Sequence, residues 1–270
     1  MKTRILSGTI FAAIGLTIIL LQKPLVDSIS ITVLALIACF EFFRAFKNKG
    51  INGIHWIGYM GCLAIMLLDN HIAEEYKILI YKMAISILAV SLFAYMVISK
   101  LNRNIRDITV TVMSLIYIPT LFSFIKRVLM LENGRLLLWY VILGAYASDT
   151  FAYFIGRRFG KNKLCPTISP NKTVEGSIGG IIGVIISYVV LTIVGNMYFN
   201  FHMNVVYWVL IAIVASIVGQ MGDLTASAIK RYCGIKDFGN LIPGHGGILD
   251  RFDSLIFVAP IVYIFITLYV

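Results

Sequence analysis

Charged residues are scarce in this chain. Asp, Glu, Lys and Arg make up 13% of its 270 residues, whereas 59% are hydrophobic. Average soluble proteins contain about 25% charged residues, so this composition excludes a soluble globular domain. Strands of alternating hydrophobicity are also absent, which excludes a membrane β-barrel, and the apolar runs are long and continuous. The composition therefore predicts an all-α, polytopic integral membrane protein.

Cysteines and acidic residues are also few. The four cysteines are scattered at positions 39, 62, 165 and 233 without a Cys-x-x-Cys pair, which predicts neither a disulfide framework nor a zinc site. The 13 acidic residues are outnumbered by 23 basic ones, and the net charge is +10. In a membrane protein this excess reports topology and contact with anionic lipid headgroups. It does not indicate nucleic-acid binding.

The apolar runs predict about nine membrane-spanning helices, since a span needs roughly 20 apolar residues. They fall at 5–22, 25–43, 51–69, 78–99, 108–125, 136–156, 175–199, 204–226 and 252–270. A cytoplasmic N-terminus places most of the 23 basic residues on cytoplasmic loops, as the positive-inside rule requires. The cluster formed by Lys126, Arg127 and Arg135 argues mildly against this orientation.

The two longest loops predicted on the cytoplasmic side, 157–174 and 227–251, both lie in the C-terminal half. We therefore expect residues 1–130 to form a transmembrane scaffold and residues 131–270 to form the catalytic region.

Five carboxylates converge at one depth of the predicted bundle. Asp149, Glu175 and Asp223 lie at the cytoplasmic ends of three helices, and Asp250 and Asp253 open the last one. Ionisable residues at membrane depth are functional candidates by default. Solvation of a helix end readily explains Glu175, but it does not comfortably explain Asp149 or Asp223, which lie inside apolar helices.

Asp250 and Asp253 are spaced i, i+3 and share a helix face. Helix capping accounts for one acidic residue in a first turn. Two carboxylates on one face, with Asp223 from a neighbouring helix, suit a hard divalent cation such as Mg²⁺, which completes its shell with water and substrate phosphate. For Asp250 and Asp253, metal binding is favoured over capping. For Asp223, a metal-binding role and a purely structural role are equally supported.

Two polar loops offer phosphate contacts. His245-Gly246-Gly247 has the glycines that allow a backbone to approach phosphate oxygens, although, taken alone, a simple turn at Pro243-Gly244 is the better explanation. The loop 157–174 is basic, and such clusters usually face anionic lipid. Its turn at Ser169, Lys172 and Thr173 also has the parts of a nucleotide-phosphate contact.

The stretch 227–253 resembles the signature of the phosphatidate cytidylyltransferases, also called CDP-diacylglycerol synthases. The matching positions are Ser227, Lys230, Arg231, Lys236, Asp237, Gly239, Pro243, His245, Gly246, Gly247, Asp250, Arg251 and Asp253. The segments 148–156 and 168–176 are similar to that family as well, with Val174 standing where many members have an aromatic residue. The resemblance covers the chain from about residue 145 onwards, whereas residues 1–130 are similar only in being apolar and polytopic.

The resemblance implies transfer of the cytidylyl group of CTP to phosphatidic acid with release of pyrophosphate, using Mg²⁺ and with room for a second cation. It implies metal ligands at Asp223, Asp250 and Asp253, and phosphate contacts at Lys172, Lys230, Arg231 and Arg251. His245 either hydrogen-bonds the departing pyrophosphate or orders its loop. Further substrate contacts are expected at Asp149, Ser169, Thr173, Glu175, Lys236, Asp237, Gly246 and Gly247.

The resemblance also implies an integral protein of the bacterial cytoplasmic membrane, with its active site on the cytoplasmic side and among membrane lipids. It is compatible with a homodimer, although the sequence identifies no interface. A CTP-dependent polyprenol or phytol kinase is the second interpretation, and the run from His245 to Asp253 suits it less well. An ion-coupled transporter would place its carboxylates near the midplane within repeated halves, and no repeat is visible.

Overall fold

The computed structural model describes residues 2–68, 74–100, 102–199, 201 and 203–269. In this part of the chain there are eleven helices and one small two-stranded sheet. The elements are α1 (Lys2–Leu21), α2 (Pro24–Lys47), α3 (His55–Leu68), α4 (Glu74–Ile98), α5 (Ile105–Tyr117), α6 (Pro119–Met130), α7 (Gly134–Phe159), β1 (Lys163–Cys165), β2 (Ser169–Thr173), α8 (Val174–Tyr198), α9 (Val205–Cys233), α10 (Leu249–Phe252) and α11 (Leu255–Tyr269).

Each of the nine predicted spans coincides with helical structure. Six helical segments are long and apolar enough to cross a membrane, and α1, α3 and α11 contain shorter apolar stretches. The span predicted at 108–125 is a pair of helices, α5 and α6, because Pro119 begins a new helix directly after the backbone turns at Ile118. The prediction of an all-α polytopic membrane protein is confirmed.

Both predicted cytoplasmic loops are shorter than expected. The loop predicted at 227–251 begins only at Gly234, because α9 continues through Cys233 until Gly234 ends it with a φ of +69°. The loop predicted at 157–174 begins after α7 ends at Phe159, and it contains the antiparallel hairpin of β1 and β2. Lys230 and Arg231 therefore project from a helix and not from a flexible loop.

The last predicted span is interrupted near its start. Asp250 lies in α10, a helix of four residues, and the chain turns at Asp253 and Ser254 before α11 begins. The expectation that Asp250 and Asp253 open one continuous helix is therefore wrong. The interruption gives the two carboxylates different surroundings.

The helices share one large hydrophobic core. α7, α8 and α9 pack together, and α11 lies against α9, α7 and α6, so the packing crosses the predicted boundary at residue 130. α2 packs on α3 and α6 and also contacts α9 and α10. In contrast, α4 leaves nearly all of its apolar surface exposed, as expected of a helix surrounded by lipid. The division into scaffold and catalytic halves stays a prediction.

Two hydrogen bonds show that the start of α1 and the end of α2 lie at the same end of the bundle as the loop after α9. Ser7 at the start of α1 donates to the carbonyl of Pro243, and Arg44 at the end of α2 donates to that of Phe238. The cluster that argued against the predicted orientation lies elsewhere: Arg135 pairs with Asp27 at the start of α2. The buried ammonium of Lys126 donates to the carbonyl of Met66 at 2.6 Å, and Arg127 stacks over two aromatic rings. These three charges have partners within the protein, and the orientation stays a prediction.

Candidate active site

A cavity of about 470 Å³ opens where α7, α8 and α9 meet the hairpin. Asp149 of α7, Asp223 of α9, and Ser169, Lys172 and Thr173 of β2 line it. The sequence analysis had assigned all five to the site from separate parts of the chain. The structure brings them together because the hairpin folds back over the ends of α7 and α9.

The hairpin places one cation beside a carboxylate of α9. The ammonium of Lys172 forms an ion pair with Asp223, and both side chains are about a quarter exposed. Thr173 caps α8, since its hydroxyl accepts the N–H of Gly176 at 3.1 Å. Glu175 lies outside the cavity lining and is partly exposed. It accepts the backbone N–H groups of Lys161 and Asn162, and thereby ties the end of α7 to the start of α8.

Asp250 is the anchor of the segment 234–249, which we name the signature loop. One of its carboxylate oxygens accepts the ammonium of Lys230 at 2.7 Å. The other accepts the N–H of Phe238 at 2.8 Å and the N–H of Gly247 at 3.0 Å. Asp250 is almost fully buried, so these charge-assisted bonds form away from water, where they are strong.

Asp253 has different surroundings from Asp250. It is 7% exposed, and within the described part of the chain its carboxylate accepts only the N–H of Ser254, at 2.8 Å, and joins no ion pair. Its charge acts on Asp223, Asp149 and Lys230, which places these groups in one electrostatic cluster. A buried carboxylate without a cationic partner is costly, so this position favours binding of a cation.

The described residues contain no group of three or more His, Cys, Asp or Glu side chains close enough to enclose one metal ion. The oxygen donors nevertheless fit Mg²⁺, which typically takes one or two carboxylates and leaves its other positions to water and phosphate. Asp223 and Asp253 interact electrostatically, and Asp223 is paired with Lys172. Asp250 is already held by Lys230 and by two N–H groups. Metal binding at all three positions stays a prediction.

The signature loop borders a second cavity, of about 370 Å³. Lys236, Asp237, His245, Gly246 and Arg251 contribute to its lining. The Nε of Arg251 is buried and has no hydrogen-bond partner among the described residues, which suits an anionic ligand.

His245 lies against α1. Its Nδ1 is 3.3 Å from the hydroxyl of Ser7, and Gly8 lies so close that an added Cβ would meet the ring at 2.9 Å. Gly246 and Gly247, which follow His245, have different structural roles. Gly246 has a φ of +82°, which favours glycine. The N–H of Gly247 is already used by Asp250 and is not free for a phosphate in this arrangement.

Arg231 lies at the edge of this arrangement. Its guanidinium donates to the carbonyl of Ile168 at 3.3 Å, so it links α9 to the hairpin and does not line either cavity. Its role as a phosphate contact stays a prediction.

Sequence reasoning missed the buried polar groups that hold these elements in place. Gln220 of α9 reaches Ser148 of α7 at 3.4 Å and the carbonyl of Ser177 of α8 at 3.2 Å. Glu41 and Arg44 of α2 hold the signature loop. Glu41 had a recognisable signal, because it is a carboxylate inside an apolar run, the same feature that singled out Asp149 and Asp223.

Comparison with known proteins identifies the family to which this chain belongs. A model of the family described as "Cytidylyltransferase family" matches residues 2–269. The chain belongs to the cytidylyltransferase family. The match extends over the N-terminal half, where the sequence alone offered only apolar character.

Similar cytidylyltransferases are found in several bacteria. The chain is 36% identical over 271 residues to the phosphatidate cytidylyltransferase of Bacillus subtilis (strain 168), covering 100% of this chain and 98% of that protein. It is 38% identical over 266 residues to the protein of the same name from Staphylococcus aureus (strain COL), covering 98% of each chain. The corresponding protein of Staphylococcus saprophyticus is 37% identical over 268 residues, again covering 98% of each.

Proposed function

We propose that this cytidylyltransferase acts on phosphatidate. A phosphate oxygen of the lipid attacks the α-phosphorus of CTP, the bond from that phosphorus to the β-phosphate oxygen breaks, and pyrophosphate leaves. CDP-diacylglycerol is the product. Full-length similarity to proteins named phosphatidate cytidylyltransferase supports this substrate. The observation that carries the proposal is the grouping of Asp149 and Asp223, which line the cavity between α7, α8 and α9, with Asp253, which follows the signature loop.

Phosphoryl-type transfer needs alignment and charge neutralisation more than covalent chemistry. The site has the groups for both. Lys172 and Lys230 bring ammonium groups to the cluster of Asp223, Asp250 and Asp253. Arg251 has a buried, unpartnered Nε within the described residues, and it is near enough to act electrostatically on Asp149.

The basic side chains and the hydroxyl groups of the site have separate proposed roles. Lys172, Lys230 and Arg251 neutralise the phosphates of CTP and of the departing pyrophosphate. His245, on the rim of the second cavity, either donates to the pyrophosphate or orders the loop. Ser169 and Thr173 contact the nucleotide from the hairpin side, because both line the first cavity.

Mg²⁺ is the proposed cofactor, with Asp223 and Asp253 as its main ligands and Asp250 as a third. When bound, it would supply Lewis-acid neutralisation of the phosphate charge. Asp223 and Asp250 would contribute fully only after Lys172 and Lys230 are released from them, since each ammonium now occupies one carboxylate oxygen. A second cation and a homodimer stay predictions from the family resemblance.

The proposed location is the cytoplasmic end of the bundle. CTP reaches such a site from the cytosol, whereas phosphatidate enters laterally from the membrane. The positive-inside rule supports this side, since the segments 157–174 and 227–251, which contain the hairpin and the signature loop, carry nine of the 23 basic residues.

The deciding experiment uses purified protein in detergent with phosphatidate and Mg²⁺. CTP labelled with ³²P at either the α or the γ position is added, and the lipid phase is counted. We expect only the α label to enter lipid, in a product that migrates with CDP-diacylglycerol. Omitting Mg²⁺ in the presence of excess EDTA should abolish incorporation, and adding Mg²⁺ back should restore it.

Other outcomes would replace the proposal. Entry of the γ label into lipid would identify a kinase. Entry of neither label, with folded protein and several lipids tried, would exclude both activities. Turnover that persists in excess EDTA would remove the metal from the proposal but leave the transfer itself intact.

A further inference from the structure

Helix α2 belongs to the predicted scaffold, yet it reaches into the signature loop. Glu41, near its C-terminal end, is 2% exposed. Its two carboxylate oxygens accept the backbone N–H groups of Ile248 at 3.1 Å and Leu249 at 2.9 Å. These residues directly precede Asp250. The carboxylate therefore fixes the backbone just before the anchor of the loop.

Arg44 holds the other end of the same loop. It lies three positions after Glu41, on the same helix face. Its guanidinium donates to the carbonyl of Phe238 at 2.8 Å, while the N–H of Phe238 donates to Asp250. The backbone at Phe238 is thus held on one side by α2 and on the other by Asp250.

Two glycines of the loop make room for Glu41. A Cβ at either Gly239 or Gly247 would collide with the carboxylate of Glu41. The close approach therefore requires glycine at both positions. Gly247 had been interpreted as part of a phosphate-binding turn. Its contact with Glu41 gives it a second and independent reason to lack a side chain.

We propose that Glu41, assisted by Arg44, is a positioning residue for the reaction. It lines neither of the two cavities of the site. It fixes the signature loop so that Asp250 faces Lys230, and so that His245 and Arg251 face the second cavity. This inference rests on the proposed cytidylyl transfer, since it concerns the same site, but the contacts are independent of which lipid is used.

Asp107 provides a matched control for Glu41. It is also a buried carboxylate of the N-terminal half, 3% exposed, and it accepts two backbone N–H groups, from Asn52 at 2.8 Å and Asn104 at 3.1 Å. It makes no contact with the signature loop among the described residues. Removing Glu41 leaves two buried N–H groups unsatisfied. The N–H groups of Asn52 and Asn104 are only partly buried, so Asp107→Ala should cost less stability than Glu41→Ala or about as much.

The test compares Glu41→Ala and Glu41→Gln with Asp107→Ala in the full-length protein. Misplacing a site by about 1 Å lowers turnover by about 10²-fold, and we expect a loss of that order in kcat/KM for CTP with Glu41→Ala. Glu41→Gln keeps one acceptor oxygen and should recover part of the activity. Asp107→Ala should also lower thermal stability, while its kcat and KM stay near those of the unaltered protein.

Hydrogen exchange followed by mass spectrometry supplies a readout that needs no substrate. In Glu41→Ala, exchange should quicken in peptides spanning 238–249 and stay unchanged elsewhere in the bundle, whereas Asp107→Ala should quicken exchange around 52 and 104. Unchanged exchange at 238–249 in Glu41→Ala would overturn the inference. So would activity losses that track thermal stability equally in both alanine variants.

The two proposals fail separately. If the unaltered protein transfers no label from CTP to lipid, the proposed function fails while the exchange experiment still tests the role of Glu41. If the unaltered protein is active and Glu41→Ala is equally active, only the positioning role is wrong.

Discussion

At the scale of single residues, Asp250 and Asp253 show how one chemical group acquires two roles. They lie three positions apart on either side of a helix interruption. Asp250 accepts three hydrogen bonds, including one from Lys230, so it organises the signature loop. Asp253 accepts only the N–H of the next residue within the described chain, and its charge is left for a ligand.

Replacing each carboxylate by its amide should separate these roles. Asp250→Asn removes the charge beside the half-buried Lys230. Breaking a buried ion pair costs about 3–5 kcal/mol, and partial exposure of Lys230 places this one at the lower end. Asp253→Asn should abolish turnover without lowering thermal stability, because it relieves the repulsion from Asp223 and Asp149.

Thermal unfolding in detergent, paired with the lipid-labelling assay, measures both effects. We expect both variants to be inactive and only Asp250→Asn to have a lower Tm. Wild-type rates in Asp253→Asn would remove this residue from the metal site. A lower Tm in Asp253→Asn would instead mean that its carboxylate has a structural role like that of Asp250.

At the scale of helices, buried polar side chains fix the register of the elements that carry the site. Gln220 links α9 to α7 and α8, one turn before Asp223 in α9. Ser148, directly before Asp149, bonds to Ser216 of α9 at 2.9 Å. The relative positions of Asp149, Lys172 and Asp223 therefore depend on this network.

We predict that Gln220→Leu lowers activity much more than it lowers stability. Hydrogen bonds between membrane helices contribute about 0.6 kcal/mol on average and up to about 1.7 kcal/mol, so the fold should persist. Tyr188→Phe is the matched control, since its hydroxyl donates to the carbonyl of Tyr140 between α8 and α7, away from the site. Equal activity in the two variants, measured with Tm at several CTP concentrations, would contradict a role for Gln220 in aligning the site.

The sequence was sufficient for the helices but not for what joins them. Hydropathy located all nine apolar segments, and six helical segments are long and apolar enough to cross a membrane. It could not show that α9 continues to Cys233, since its last turns are polar and leave the apolar pattern. Nor could it pair Glu41 with Ile248 and Leu249, because a contact across some two hundred residues leaves no periodic trace.

At the scale of the whole molecule, charge is distributed unequally between the two ends of the bundle. Most basic residues gather at the end that carries the hairpin and the signature loop. At the opposite end Arg135 is neutralised by Asp27, and Lys126 and Arg127 have partners within the protein. An excess of Lys and Arg on one side sets orientation, so the site end should face the cytoplasm.

Natural and introduced cysteines make this orientation measurable. Cys165 lies in the hairpin and is partly exposed, whereas the three other cysteines are buried. In intact cells a membrane-impermeant maleimide should leave Cys165 unlabelled, and labelling should appear once the membrane is opened. The variant Glu132→Cys/Cys165→Ala places its thiol in the exposed turn between α6 and α7 and should be labelled in intact cells. The reverse pattern would place the site outside, where CTP is not available, and would contradict both the orientation and the proposed reaction.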